Sequence, residues 1–439
     1  MGNTNKMKKK INIFWFRRDL RLEDNCGLYH ALNSDKKVLP IFIFDEDILH
    51  KLPSNDSRVS FIHQELKNIN LKLKKAGSSL AIFHGKPNAI FKSLLKKYAI
   101  DTVFTNHDYE PYAIKRDLEI KELLTSHKIN FKTYKDQVVF EKNEVVKQDG
   151  DPYKVYTPYS RKWLAAFREK GIQFYPSEEK LENLIKDDNH PFVSLSDIGF
   201  VSATIKIASY TVSPNLIDEY EETRNFPAKD ATSKLGTHLR FGTVSVRKIV
   251  TKASKSDNIT FLKELIWREF FMQILWHFPH TPNKAFKSKY DRIQWRNNED
   301  EFKAWCKGET GYPLVDAGMR ELNKTGFMHN RVRMLVGSFL CKHLLIDWRW
   351  GEAYFAEKLH DYEMASNVGN WQWVAGSGVD ASPYFRIFNP TTQIKKFDKD
   401  LQYIKKWVPE FQELTYAKEI VEHKFARERC LKVYKEAVA

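Results

Sequence analysis

The segment INIFWFRRDLRLEDN (Ile11–Asn25) decides the fold of the first part of the chain, because a short apolar run ends abruptly in a charged loop. Ile11–Phe16 has the length and composition of a buried strand, and similar runs follow at Val38–Phe44, Ser79–His84 and Asp101–Asn106. Amphipathic stretches at helical spacing separate these runs. This alternation predicts a doubly wound parallel sheet, on which ligands bind beyond the carboxyl ends of the strands. The charged loop lies at such an end.

The rest of the chain changes character twice. Residues 136–200 are weakly patterned and carry polar runs, which indicates a long connection between domains. Beyond them the pattern is helical almost throughout, with long apolar-rich helices expected at Lys263–Phe278 and Asn330–Leu345. We therefore predict an α/β domain over residues 9–135, a linker over 136–200 and an all-helical domain over 201–439.

Composition favours a polyanionic partner and suggests a special use for tryptophan. The 439 residues include 71 Lys and Arg against 56 Asp and Glu, which gives a net charge of +15. Such a balance favours nucleic acid through counterion release, although a Lys-rich proteome would give the same excess. The 11 Trp residues fit either an aromatic-rich helical core or rings that stack on a flat ligand or carry electrons.

The signatures of other function classes are absent from the sequence. The cysteines Cys26, Cys306, Cys341 and Cys430 are far apart, which argues against zinc, an iron–sulfur cluster or a disulfide framework and fits a reducing cytosol. Neither GxGxxG nor GxxxxGK[ST] occurs. No apolar run reaches the roughly 18–20 residues needed to cross a bilayer, and no signal-type stretch follows the basic start. We expect a cytoplasmic protein without a metal.

Helical spacing sorts the aromatic residues of the second half into faces. Glu264 and Trp267 are three apart, so a carboxylate lies beside an aromatic wall. Trp371 and Trp373 are two apart and point to nearly opposite sides, so we expect them to serve different surfaces. Either one is core and the other a surface aromatic, or one packs on a cofactor and the other on a substrate.

Polar residues give further candidate faces. Asn330 and Met334 are four apart and share a helix face, as Asn367 and Trp371 do. The segment Thr232–Gly242 begins with hydroxyls ahead of a helical stretch, which suits either a phosphate site or a plain N-cap. A further candidate is an ion pair between Arg333 and Asp361.

Several long motifs of the chain resemble the photolyase/cryptochrome family, and within it a bacterial class I cyclobutane pyrimidine dimer photolyase. The resemblance covers essentially the whole chain, and its order of motifs leaves no room for chance. These motifs are WFRRDLRLEDN (15–25), ELIWREFF (264–271), GETGYPLVDAGMRELNKTGFMHNRVRM (308–334), DWRWGEAYF (347–355), SNVGNWQWVAGSGVDASPYFRIFNPTTQ (366–393) and IVEHKFARERCLKVY (420–434).

The resemblance implies an α/β antenna domain followed by a helical domain that holds FAD. Asn367 would lie near the flavin N5, where it stabilises the reduced cofactor. The implied FAD contacts, largely to the phosphates, are Tyr220, Thr232, Ser233, Lys234, Leu235, Gly236, Arg268, Arg333, Asp361, Glu363 and Asn367.

The implied activity is light-driven repair of UV-damaged DNA by a deoxyribodipyrimidine photo-lyase. Excited FADH⁻ donates an electron to a flipped-out pyrimidine dimer, and Glu264 hydrogen-bonds the dimer base. Residues implied to line the lesion pocket are Glu264, Trp267, Asn330, Met334 and Trp373. Candidate phosphate contacts are Arg224, Arg331 and Arg386. A relay through Trp371, Trp348 and Trp295 would reduce the flavin.

The resemblance also implies an antenna chromophore and leaves alternatives to consider. Asn106 and Glu110 resemble folate-contacting positions, which favours 5,10-methenyltetrahydrofolate over a deazaflavin or a second flavin. A cryptochrome-type photoreceptor is disfavoured because the five lesion-pocket residues are of the repair type. A six-four photolyase is disfavoured because Asn330 and Met334 stand where such enzymes carry His. We expect a monomer without an obligate protein partner.

Overall fold

The computed structural model describes residues 9–186 and 190–439, which fall into two compact units. Unit 1 comprises Met1–Glu141, Lys170–Ile207 and His238–Thr251, and unit 2 comprises Lys142–Glu169, Ala208–Thr237 and Lys252–Ala439. The expected linker over residues 136–200 is thus divided between the two units. Its weak pattern has a physical reason, because it contains one helix and otherwise short turns and irregular segments.

Unit 1 contains a five-stranded parallel sheet with the order β3-β2-β1-β4-β5. The sequence prediction contained four of these strands and missed β5, whose alternation of exposed and half-buried residues lacks a strong apolar signal. The elements are β1 (Ile11–Phe16), α1 (Cys26–Leu32), β2 (Val38–Phe44), α2 (Glu46–Leu49), α3 (Ser57–Lys75), β3 (Ala81–His84), α4 (Pro87–Lys97), β4 (Ile100–Asn106), α5 (Pro111–Ser126) and β5 (Asn130–Tyr134).

Both faces of this sheet are covered by apolar side chains. In β1, Phe14 and Phe16 join one buried cluster, whereas Ile13 and Trp15 join another. Successive side chains of a strand point to opposite faces, so the two clusters mark two packed layers. This arrangement confirms the predicted doubly wound sheet.

The remaining elements are helical. They are α6 (Tyr156–Lys170), α7 (Pro214–Asp218), α8 (Tyr220–Thr223), α9 (Gly236–Phe241), α10 (Val246–Ala253), α11 (Thr260–His277), α12 (Glu299–Lys307), α13 (Pro313–Thr325), α14 (Asn330–Ser338), α15 (Trp348–Lys358), α16 (Met364–Ala375), α17 (Pro390–Phe397), α18 (Gln402–Trp407) and α19 (His423–Val438). Short 3₁₀ turns lie at Ser177–Asn183, Ser196–Ile198 and Ser288–Arg292.

One expected helix of unit 2 differs in the structure. The sequence pattern predicts a continuous helix over Asn330–Leu345, but the α-helix ends at Ser338 and a π-helical turn continues over Phe339–His343. A π-turn inserts an extra residue into the helical repeat without changing the apolar composition, so periodicity does not reveal it. The turn brings Lys342 into the protein interior.

Candidate active site

An open cavity lies among α14, α15, α16 and the segment that joins α15 to α16. It brings together residues that the sequence assigned to two different ligands, the cofactor and the lesion. The predicted residues in its lining are Asn330, Arg333, Met334, Asp361, Glu363, Asn367, Trp371 and Trp373, and Phe355, Leu359 and Val374 add apolar wall.

Helix α16 forms one wall of the cavity with a broad face. At about 100° per residue, its lining residues from Ser366 to Val374 cover an arc of roughly 160°, with Trp373 at one edge and Trp371 at the other. The two rings line opposite edges of this one cavity, and the expectation that they serve different surfaces stays a prediction. Trp371 is the inner ring, at 3% exposure, and Trp373 is half-buried.

The side-chain amide of Asn367 is held by a glutamate of α15. Its Nδ2 donates to Oε1 of Glu352 at 2.9 Å and to the backbone oxygen of Glu352 at 3.2 Å. Burial raises the pKa of Glu352, and the hydroxyl of Tyr362 donates to the same carboxylate. Because both amide hydrogens are used, Asn367 offers its carbonyl oxygen to a ligand in the cavity.

Opposite charges and unsatisfied polar atoms occur among the residues that the resemblance assigns to FAD, largely to its phosphates. Nη2 of Arg333 donates to Oδ2 of Asp361 at 2.9 Å, which confirms that ion pair. Oδ1 of Asp361 and Oγ1 of Thr232 are buried without a partner among the described residues. Gly236 lies so close to Asp361 that a Cβ there would come within 2.8 Å of the carboxylate. Buried polar atoms of this kind indicate a missing hydrogen-bonding ligand.

The other residues of the Thr232–Gly236 segment form a partly buried turn. Lys234 has a φ of 54°, and its ammonium lies 3.9 Å from the centre of the Phe327 ring. Oγ of Ser233 accepts a hydrogen bond from the backbone N–H of Leu235, which is buried. Upstream, Tyr220 packs edge-on against Phe261.

Arginine also supports the cavity from α11. Both Nε and Nη2 of Arg268 lie 3.2 Å from the carboxylate of Glu363, and both side chains are largely buried. A two-pronged contact of this type fixes the orientation of both groups. Glu363 in turn lines the cavity.

The α11 face, which we define as Glu264 and Trp267, is separate from the cavity lining. Oε1 of Glu264 accepts a 2.5 Å hydrogen bond from Nη1 of Arg224. The ring of Tyr156 lies parallel to Trp267, with the ring centres 3.6 Å apart and an angle of 6° between the planes. The hydroxyl of Tyr156 donates to the backbone oxygen of Lys263 on the same helix. Groups on this face are therefore paired with other residues of unit 2.

The remaining arginines predicted to contact phosphate lie at accessible positions. Nη2 of Arg331 donates to Oδ1 of Asn225 at 2.5 Å, and its guanidinium lies 4.3 Å from the centre of the Phe397 ring. Arg386 is exposed, with its guanidinium 5.5 Å from the centre of the Phe388 ring. Asn330, the first residue of α14, is exposed as well.

The three tryptophans of the expected relay have different neighbours. Trp371 contacts Phe355 and Trp305, with ring centres 5.0 Å and 6.2 Å away. Trp348 is buried beneath the guanidinium of Arg349, and half-buried Trp295 meets Tyr434 edge-on. The relay itself stays a prediction.

Three residues of the site escaped the sequence prediction. Glu352, Tyr156 and Trp305 each contact a predicted residue from another helix, at separations of 15, 111 and 66 positions from Asn367, Trp267 and Trp371. Spacing rules report only neighbours on one helix. Of these three residues, Glu352 alone lies within a quoted motif, DWRWGEAYF, four residues after Trp348. The motif could therefore have indicated Glu352, but not Tyr156 or Trp305.

The charged loop after β1 is held by hydrogen bonds within unit 1, next to the two residues expected at the antenna site. Nδ2 of Asn106 donates to Asp19 and Asn25, and its Oδ1 accepts from the backbone N–H of Gly27. The side-chain amide of Asn106 is thus hydrogen-bonded within unit 1, and its contact with an antenna chromophore stays a prediction. Glu110 lies between Arg18 and Arg240.

The described residues contain neither a metal-binding cluster nor a membrane-spanning helix. Over residues 9–186 and 190–439, no group of three or more His, Cys, Asp or Glu side chains is arranged to hold a metal ion. In the same part of the chain, no helix is both long enough and apolar enough to cross a membrane.

Comparison with known proteins identifies the family. The chain matches the DNA photolyase model over residues 12–179 and the model described as the FAD binding domain of DNA photolyase over residues 261–418. The chain belongs to the DNA photolyase family.

Named relatives support this assignment over nearly the full length. Deoxyribodipyrimidine photo-lyase of Agrobacterium fabrum is 38% identical, covering 96% of this chain and 97% of the relative. The enzyme of that name from Escherichia coli is 34% identical, covering 97% and 98%. Both relatives are named as the same enzyme, which supports the predicted enzyme class.

Solved structures agree with the fold. A class III photolyase from Agrobacterium tumefaciens superposes with a TM-score of 0.88 at 35% identity, covering 100% of this chain and 99% of that one. An archaeal photolyase from Sulfolobus tokodaii, described with two FAD molecules, superposes with a TM-score of 0.83 at 34% identity. The match covers 97% of this chain and 99% of that one. A Synechocystis cryptochrome superposes with a TM-score of 0.85 at 26% identity, and the match covers 98% of this chain and 100% of that one. The motif resemblance was to class I, whereas the first of these structures is class III.

The residues present fit FAD. The cavity offers the free carbonyl oxygen of Asn367, the ring of Trp371 and the guanidinium of Arg333. The unpartnered atoms of Thr232 and Asp361 supply hydrogen-bonding groups for a polar ligand. This chain therefore carries the FAD-binding domain of the family with its polar groups in place.

Proposed function

We propose that this protein repairs cyclobutane pyrimidine dimers in UV-damaged DNA as a light-driven deoxyribodipyrimidine photo-lyase. One observation carries the proposal: a single cavity is lined both by Asn367 and Trp371, expected at the cofactor, and by Asn330, Met334 and Trp373, expected at the lesion. Electron transfer requires donor and acceptor to be close, and one shared cavity provides that proximity.

FAD in its reduced form, FADH⁻, supplies the light-driven electron when bound. The protein's own task is to hold and orient. Arg333 and Lys234 offer positive charge to the phosphates, with Tyr220, Ser233, Leu235 and Gly236 shaping the segment around them. Asn367 turns its carbonyl oxygen to the flavin because Glu352 occupies both amide hydrogens. An acceptor at this point suits a protonated N5, the reduced form.

The lesion side excludes water and discriminates a damaged base. Trp373 and Met334 give the cavity an apolar wall, and Asn330 offers an amide at its mouth. Glu264 and Trp267 of the α11 face also contact the lesion. When the dimer binds, the hydrogen bond between Glu264 and Arg224 is replaced by one between Glu264 and the dimer base. A dimer is already poorly stacked, so its extrusion costs less than that of a normal base.

Arginines on the surface of unit 2 bind the DNA backbone. Arg224, Arg331 and Arg386 are the contacts we assign to phosphates, which position the duplex without reading its sequence. The net charge of +15 supports this partner. Binding should weaken with salt because phosphate contacts release counterions.

Three further properties complete the proposal. Trp371, Trp348 and Trp295 form the relay that reduces the flavin, with the middle ring buried and the last half-buried. An antenna chromophore binds unit 1, with 5,10-methenyltetrahydrofolate favoured over a deazaflavin or a second flavin, and with Asn106 and Glu110 as its contacts. The protein acts as a cytoplasmic monomer without an obligate protein partner, which size-exclusion chromatography of the purified protein tests.

A light-dependent repair assay tests the central proposal. The purified holoenzyme is reduced and incubated with an oligonucleotide containing one thymine dimer, under blue light and in the dark. We expect dimers to disappear only in the light, and an oligonucleotide with a six-four photoproduct to stay unchanged. Bound FAD without repair would instead favour a photoreceptor, and repair of the six-four substrate alone would reassign the enzyme. The absorption spectrum of the same sample identifies the antenna.

A further inference from the structure

A buried lysine in the π-helical turn has no place in the proposed reaction. Lys342 is 1% exposed and lies in the turn Phe339–His343. Burying an ammonium group is unfavourable unless it is compensated by partners. No carboxylate among the described residues forms an ion pair with Lys342, so its retention needs another explanation.

The ammonium has a specific partner, the backbone of a neighbouring loop. Nζ of Lys342 donates to the backbone oxygen of Arg386 at 2.8 Å. The charged or titratable groups that interact with it are Cys341, Cys430, Arg386 and the neighbouring His343. Burial, with a contribution from Arg386, lowers the pKa of Lys342 to about 8.

The loop that receives this hydrogen bond has two sides. Tyr384 and Ile387 pack against a buried cluster, where Tyr384 stacks on Tyr434. Phe385, at 64% exposure, and Arg386 point outward. The N–H of Arg386 donates to the backbone oxygen of Pro383 at 2.9 Å, which closes a turn. An exposed phenylalanine beside an exposed arginine is a surface that needs a fixed backbone to recognise a partner.

We propose that Lys342 is a positioning residue that fixes the turn Pro383–Ile387, so that Phe385 and Arg386 meet DNA in a defined orientation. The inference rests on the proposed function, because Arg386 is assigned there as a phosphate contact. A charged donor makes a stronger hydrogen bond to a carbonyl than a neutral one. Its buried charge is weakly screened and adds to the attraction for phosphate at Arg386.

Lys342 does not line the cavity, so its effect should appear in DNA binding and not in the chemical step. Removal of Lys342 should weaken DNA affinity and raise KM for the lesion, while kcat and the FAD content stay near those of the wild type. A merely structural role would instead lower the kcat per total protein and the FAD content through loss of folded protein, and would leave the Kd and KM of the folded fraction unchanged.

The experiment compares Lys342→Met with Lys303→Met in the full-length holoenzyme. Lys303 is an exposed lysine of α12 paired with acidic neighbours. Its replacement removes the same charge from a position that has no role in the proposal. By fluorescence anisotropy with a dimer-containing oligonucleotide at pH 7, we expect Kd to rise about tenfold for K342M and to stay within about twofold for K303M. Equal affinities of folded, FAD-loaded K342M and wild type would overturn the proposal.

A second measurement keeps the proposal testable if K342M does not fold. In the wild type, DNA affinity should fall as the pH rises through about 8, because the ammonium of Lys342 then loses its proton. In an Arg386→Ala background this step should shrink, because the loop no longer presents its phosphate contact. An affinity that stays flat through this pH range would refute the proposal. A wild-type protein that binds DNA but repairs nothing in light would defeat the proposed function alone, since these tests measure binding.

Discussion

The cavity and the α11 face differ in how their polar groups are satisfied. In the cavity, Asp361 and Thr232 keep buried atoms without partners, and Asn367 keeps a free carbonyl oxygen. On the α11 face, Glu264 is paired with Arg224 and Trp267 is stacked on Tyr156. The first region therefore keeps hydrogen-bonding groups available to a ligand, whereas the groups of the second are paired within the protein.

This difference has a physical reason. A resident cofactor can compensate buried polar atoms permanently, so leaving them unpaired in the protein alone costs nothing in the holoenzyme. A substrate leaves after each turnover, so the side chains that bind it need partners within the protein while the site is empty. We therefore expect variants of the cavity to affect folding and FAD retention, and variants of the α11 face to affect DNA binding.

The largest effect is expected from Arg268→Ala, which removes the two-pronged partner of buried Glu363 beside the cavity. Loss of one member of a buried pair costs about 3 kcal/mol. The midpoint of thermal unfolding should fall and FAD should be lost on gel filtration. Arg292→Ala, at an exposed position of unit 2, serves as the control. If R268A retains FAD and stability, the cavity does not depend on this pair.

A smaller but diagnostic effect is expected from Gly351→Ala in α15. Helix propensity alone predicts that this change stabilises the helix by about 1 kcal/mol. A Cβ at this position would overlap the ring of Trp371, and such overpacking costs about 2 kcal/mol. We expect lower stability and weaker FAD binding in the dark, with partial recovery in the double variant that also carries Trp371→Phe. Increased stability would show that the ring moves away easily.

Much of this architecture could be predicted from sequence. The strands β1 to β4 were recognised because buried parallel strands are continuous apolar runs, and eight of the fifteen residues that line the cavity were named from the family resemblance. Tertiary relations were not accessible in this way. Asn106 carries the same amide whether it binds a ligand or, as here, holds Asp19 and Asn25. That Trp371 and Trp373 line opposite edges of one cavity depends on what packs around α16, which helical phase alone does not give.

On the α11 face, Tyr156→Leu should remove the stacked support of Trp267. An aromatic pair contributes about 1 kcal/mol beyond its buried area, so we expect KM for dimer-containing DNA to rise about fivefold with kcat and FAD content unchanged. Tyr156→Phe keeps the ring and loses only the hydroxyl bond to Lys263, and it should behave nearly as wild type. A lowered kcat in Y156L at saturating DNA would place Tyr156 in the electron-transfer step instead.

The smallest effect is expected from Arg224→Gln, because this arginine and Glu264 are both partly exposed and such pairs contribute less than about 1 kcal/mol. If Arg224 contacts phosphate, the variant should bind damaged and undamaged DNA equally less well, and the slope of log K against log salt should fall by about 1. Arg292→Gln is the matched control. If Arg224 serves instead only to hold Glu264 until the lesion arrives, the salt slope stays constant and affinity for the dimer alone increases. The two outcomes separate a phosphate contact from a substitute partner, and only the first agrees with the assignment of Arg224 to DNA.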